Sequence, residues 1–194
     1  SEIMTKGHSE RLGGLARDAV AEAGGFDAID RIGVTVGPGS FTGLRVGLAF
    51  AQGLGAALHR PVVGVSTLDA LAASVENPTR AALIDARRGQ VYARFWRDGA
   101  PDGPPEALSL EQAGECAAAL GAGAVLVGSG APLMVEAAPL AVVDDRPGPL
   151  PEAIARLAAA VDPGAAPPTP LYLRAPDATP PTRLPGQPRA QKPS

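Results

Sequence analysis

Apolar and polar positions along the chain alternate between two periods, and the switches mark its elements. From Ser9 to Glu22, Leu12, Leu15, Ala16, Ala19, Val20 and then Ala23 recur at helical spacing, and the Ala-Gly-Gly that follows is a helix stop. Ile32–Val36 is a short β-branched run closed by Gly-Pro-Gly-Ser, which reads as a strand. Residues 41–58 form a second helix with Ser40 as its N-cap. Arg-Pro-Val-Val-Gly-Val-Ser, from residue 60, is a buried strand, and a capped helix begins near Ser66. Residues 80–99 give two antiparallel strands joined around Arg88-Gly89, the second alternating Val91, Ala93 and Phe95. Beyond them the pattern predicts a helix over about 110–120, a strand over 124–128 and a short helix over about 130–137. A strand at Leu-Ala-Val-Val and a last helix over 150–161 follow. Strands alternate with helices around one hairpin, so the fold class is α/β with mixed sheets and flanking helices.

After Val161 the pattern breaks. Prolines become frequent, and Leu171, Tyr172 and Leu173 are the few apolar anchors. The end of the sequence, 175–194, therefore reads as a Pro-rich, disordered tail. The opening residues enter a helical pattern almost at once, where an α/β sheet usually has an early apolar strand; the expectation is that N-terminal strands are absent from this chain.

Composition narrows the class. With 45% hydrophobic residues in 194, the chain has enough apolar sequence for a core. Aromatics make up 4%, so that core must be built from Ala, Val and Leu. A net charge of −3 without long single-sign blocks argues against direct nonspecific binding of nucleic acid or membrane. The single cysteine, Cys116, allows no internal disulfide, which fits a cytoplasmic protein. Neither a run of about 18 consecutive apolar residues nor a signal peptide is visible.

The helix over 41–58 raises a question. It carries Gly43, Gly47, Gly53 and Gly55 in an alanine-rich chain, although each interior glycine costs about 1 kcal/mol against alanine. A phosphate loop is one answer, but Gly37 and Gly43 are one residue too far apart for a Walker loop, and Leu44-Arg45 replaces its Lys-Ser/Thr. Thr42 stands at the third glycine of a dinucleotide fingerprint. Gly43, Gly47, Ala51 and Gly55 instead form an i, i+4, i+8, i+12 stripe of small residues, which lets another backbone approach closely. Either the chain's own core or a partner could supply that backbone. Arg45 and Gln52 are the rare polar residues of this helix, free for solvent or for a partner. Other chemistry is thin: His8 and His59 sit on different elements as surface or capping residues, and zinc catalysis wants three ligands. Cys116 reads as a small core residue, and Asp85 as a hairpin-turn residue.

The block Val-Gly-Pro-Gly-Ser-Phe-Thr-Gly-Leu-Arg-Val-Gly-Leu-Ala-Phe-Ala-Gln-Gly-Leu-Gly-Ala-Ala-Leu and the Pro-Val-Val-Gly-Val-Ser-Thr-Leu-Asp-Ala-Leu-Ala after it closely resemble the bacterial TsaB family, also called YeaZ. Gly-His-Ser-Glu-Arg-Leu before them resembles it too, as do Ile-Asp-Ala-Arg-Arg-Gly-Gln-Val-Tyr-Ala-Arg-Phe-Trp and Tyr-Leu-Arg-Ala-Pro-Asp-Ala-Thr-Pro-Pro after them. The resemblance spans nearly the whole globular chain. It implies an actin-like, Hsp70-like (ASKHA) fold with two ribonuclease-H-like lobes, an incomplete first one over 1–78 that carries the interface helices and a second over 79–174. It implies a noncatalytic scaffold that binds and activates TsaD, the subunit that threonylcarbamoylates the adenosine next to the tRNA anticodon. TsaE, an ATPase, joins the same assembly, and tRNA is reached only through it. In the family, two helices matching residues 8–23 and 40–57 pack against TsaD or a second TsaB copy. Carried over, the interface comprises His8, Arg11, Leu12 and Leu15 with Gly43, Leu44, Arg45, Gly47, Leu48, Ala51, Gln52 and Gly55. No cofactor is expected on this chain alone, although the TsaD interface leaves room for a nucleotide. Family members open with an apolar strand and an Asp-Thr-Ser-like turn that this sequence lacks. A catalytically active ASKHA enzyme, glycoprotease-like or kinase-like, and an independent homodimer are the competing readings.

Overall fold

The structure, a computed structural model, describes residues 8–174, with side chains from residue 11. The helical run at the start becomes α1 (His8–Glu22). The β-branched run is β1 (Ile32–Gly37), and the glycine-rich segment is α2 (Phe41–Leu58), whose N-cap Ser40 accepts a hydrogen bond from the Gly43 amide at 3.3 Å. β2 (Val62–Ser66) then pairs parallel with β1, Ile32 opposite Val62. α3 (Thr67–Ala72) starts at Ser66, whose hydroxyl accepts from the Asp69 amide.

β3 (Arg80–Arg87) and β4 (Gln90–Arg97) are the expected hairpin around Arg88-Gly89. Asp85 does the turn work anticipated for it, accepting from the Arg87 amide at 2.8 Å. β5 (Ala100–Pro101) and β6 (Glu106–Ser109) extend the sheet beyond β4, and sequence pattern did not show them because they are only two and four residues long. α4 (Leu110–Ala118) opens with a reciprocal Ser109/Gln112 capping box. β7 (Val125–Val127), a 3-10 turn over 131–134, β8 (Val142–Asp144) and α5 (Pro151–Ala160) complete the described chain.

Two sheets result. β1 and β2 form one; β5-β4-β3-β7-β8 form the other, with β6 also on β4. Period-two alternation sorts the second sheet's faces. Ala81, Leu83, Val91 and Ala93 face α4 and the 3-10 turn, while Ala82, Trp96 and Val127 face Leu68 and Leu71 of α3. α3 is also the bridge to the first sheet, since its Ala70 packs with Val63, Val65 and Ala158.

That last residue ties α5, expected within the second lobe, to the first sheet. α5 lies at 151–160 in sequence but packs on β1 and β2, not on the second sheet. A Cβ on Gly33 would meet that of Ala158 at 2.8 Å, and Arg31 donates to the carbonyls of Ala158 and Val161, capping the end of α5. Periodicity cannot say which sheet an amphipathic helix covers. Cys116 is a correction: it is exposed, because the buried stripe of α4 is Ala113, Gly114 and Ala117. The expected tail lies outside the described residues.

Candidate partner-binding face

α2 carries the candidate site, and its sequence sorts into an inner and an outer face. Leu44, Leu48, Ala51 and Gly55, at i, i+4, i+7 and i+11, are its buried residues and lie on β1 and β2. A Cβ on Gly55 would collide with Val62 Cγ2 and stand 3.0 Å from the Arg60 carbonyl, so here glycine is required by the chain's own packing. The stripe expected to meet a partner is therefore split. Leu44, Leu48, Ala51 and Gly55, which the family resemblance counts in the interface, turn inward in this chain, because the helix must bury one apolar face on its own sheet.

The remainder is open. Gly47 and Gly53 have no atom within 4 Å of an added Cβ. Gly43 meets only its own cap, Ser40, at ordinary distance. Phe41 is 46% exposed, and the Arg45 guanidinium lies 4.0 Å from its ring centroid. Gln52 reaches the Pro168 carbonyl at 3.5 Å. By length and composition α2 is apolar enough to cross a membrane, a test that core helices also pass. Here one face is fastened to a sheet, and Arg45 and Gln52 interrupt the other.

The other expected helix, α1, is barely attached. Among the described residues no strand or helix packs extensively against it, and its apolar Leu12 and Leu15 are only half-buried. Arg11 is exposed, and the His8 side chain lies outside the described residues.

Sequence reading missed one contributor. The segment 166–172 crosses the first lobe as a strap: Gly64 donates to the Ala166 carbonyl at 2.9 Å, and Leu171 to the Val36 carbonyl at 2.7 Å. Gly37, at φ +110°, makes room for it, since a Cβ there would stand 2.8 Å from the Leu171 carbonyl. The strap ends with Tyr172 beside Phe41, ring centroids 5.6 Å apart. Leu171 and Tyr172 stand out in sequence as apolar anchors amid prolines, the one signal that points to the strap.

The β1–α2 turn encloses 220 Å³ lined by Thr35, Pro38, Ser40, Gly43 and Thr67 among others, below the usual size of a small-molecule site. Thr67 Oγ1 is buried there without a hydrogen-bond partner. His59 ends α2 in a left-handed conformation at φ 54°, exposed, as the capping residue expected. Among the described residues no three His, Cys, Asp or Glu side chains are grouped to hold a metal.

Comparison with known proteins places this geometry. Residues 2–100 match the family model described as TsaD, tRNA N6-adenosine threonylcarbamoyltransferase. The tRNA threonylcarbamoyladenosine biosynthesis protein TsaB of Escherichia coli is 38% identical over 103 residues, 50% of this chain and 45% of that protein. The chain thus matches less than half the length of that relative. An uncharacterized protein of Mycobacterium tuberculosis is 39% identical over 181 residues, covering 92% of this chain and 80% of its own. A solved Pseudomonas aeruginosa structure, described as similar to peptidase YeaZ, superposes with a TM-score of 0.74 at 34% identity, covering 89% of this chain and 87% of that one. Its likeness carries the ASKHA fold expected from the motifs, and the chain belongs to the TsaB/YeaZ family.

Proposed function

We propose that the chain is a noncatalytic subunit that binds and activates TsaD for threonylcarbamoylation of the adenosine next to the tRNA anticodon, in the cytoplasm. The observation that carries this reading is the outer face of α2: an apolar helix with open glycines at 47 and 53, beside a loosely attached α1. Apolar surface of this kind marks an interaction site. The match of residues 2–100 to the TsaD model supports the choice of partner. A partner of the same fold presents an equivalent helix pair, and two such pairs can dock about a pseudo-two-fold axis. The same reasoning admits a second copy of this chain when TsaD is absent. TsaE joins the assembly, and tRNA is contacted through it.

Gly47→Leu tests the reading. The position is open in the free chain, so the variant folds; against a closely packed helix the added volume costs about 1–3 kcal/mol, a loss of roughly tenfold or more in affinity. Arg45→Ala weakens binding less, since exposed polar contacts are worth little. Isothermal titration of each variant with TsaD is the measurement. Unchanged affinity for a folded Gly47→Leu protein, or threonylcarbamoyl transfer by the wild-type chain alone, would overturn the proposal.

A further inference from the structure

A second cleft lies away from α2, between the end of α3 and the start of α5. It encloses 560 Å³, within the usual range for small-molecule sites, and Ala73, Ser74, Glu76, Arg80, Glu152 and Arg156 contribute to its lining. Arg80, the first residue of β3, enters it half-buried. One guanidinium nitrogen donates to the Asn77 carbonyl at 2.6 Å, and the Trp96 ring centroid lies 5.4 Å from its Cζ. Its Nε is buried without a hydrogen-bond partner. No carboxylate among the described residues pairs with it, and desolvation lowers its pKa from the usual arginine value. Arg156 of α5 donates to the Ala73 carbonyl at 2.7 Å and likewise has no ion-pair partner among the described residues. Ser74 is already committed, donating to the Ala70 carbonyl and accepting from the Leu150 amide.

A half-buried cation without a counter-charge is costly. We infer that this cleft binds a small anion, a carboxylate or a phosphate group, with Arg80 and Arg156 as its ligands. Both are planar donors whose remaining N–H groups suit an oxyanion. Glu76 and Glu152 are exposed residues of the same cleft. They oppose a polyanion and favour a single anionic group, alone or beside an ammonium.

The test is thermal denaturation and isothermal titration of the full chain with inorganic phosphate, acetate and glycine, each at constant ionic strength against sodium chloride. At least one raises Tm saturably, and Arg156→Gln weakens its binding about tenfold through loss of charge-assisted hydrogen bonds. Arg80→Gln does the same or more; if that variant fails to fold, the exposed Arg156 carries the test. A response to phosphate alone assigns a phosphate group, and one to acetate alone a carboxylate. Glycine binding more tightly than acetate supports the part given to the glutamates. No saturable response to any of the three beyond the chloride control, or equal binding by wild type and Arg156→Gln, overturns the inference.

Discussion

At the scale of single residues, the glycines of α2 do opposite things. Gly47 faces open space, so Gly47→Ala should stabilise the free chain by about 0.5–1 kcal/mol, the helix-propensity difference. Gly55→Ala drives a methyl into Val62 and toward the Arg60 carbonyl, and should destabilise by about 1–3 kcal/mol. Urea denaturation of the two variants should move the midpoint in opposite directions. A pH-dependent pair sits elsewhere. Asp144, at the end of β8, accepts hydrogen bonds from Arg146, which also donates to the Ser74 carbonyl after α3. The Arg146 hydrogen bond holds the Asp144 carboxyl below its usual range, outweighing the opposing effect of burial. A carboxyl lowered in the folded state stabilises above its unfolded value, near pH 4, and that stabilisation is lost as pH falls through the lower folded value. Asp144→Asn should therefore cost about 1 kcal/mol at pH 7, and the difference from wild type should shrink toward zero below the folded pKa. Stability curves from pH 7 to 2 check it.

At the scale of elements, the strap over 166–172 separates two truncations. Ending the chain at Pro176 keeps every described contact of the strap, so the melting temperature should stay within about 2 °C, the range of a neutral surface change. Ending it at Ala165 removes the Gly64 and Val36 hydrogen bonds and the Phe41–Tyr172 contact, and should lower Tm by several degrees, about 2–4 °C for each kcal/mol lost in a chain of this size. Differential scanning calorimetry of the two chains decides it. The elements themselves are legible in the sequence. The span of α2, the Ser40 and Ser66 caps and the β3–β4 hairpin all follow from local pattern, because capping and turn chemistry are settled within four residues. β5, β6 and the strap are not, since short pieces owe their shape to the neighbours they pair with.

At the scale of the molecule, β1 pairs with β2 alone among the described strands, leaving its second edge open. Parallel sheets are ordinarily buried on both sides, and the second edge of β1, beyond the Val36 carbonyl that the strap occupies, is a template for association. The 194-residue chain expressed by itself should therefore self-associate, and light scattering after size exclusion should show oligomers or aggregate. A monodisperse monomer with a cooperative melt would count against an edge that needs a partner strand.

The sequence alone determined the order and type of the main elements and, through the glycine-rich block, the family. Those depend on local periodicity, on capping within a turn and on motif identity, all of which are written along the chain. Tertiary structure decided which face of α2 is inner: Gly55 and Gly47 are both small residues on one stripe, yet only the position of Val62 makes one a packing necessity and the other an open surface. It also brought α5 back to the first sheet and gathered Arg80 and Arg156 around one cleft. Those residues are far apart in sequence, and no local pattern encodes which distant surfaces a helix will cover.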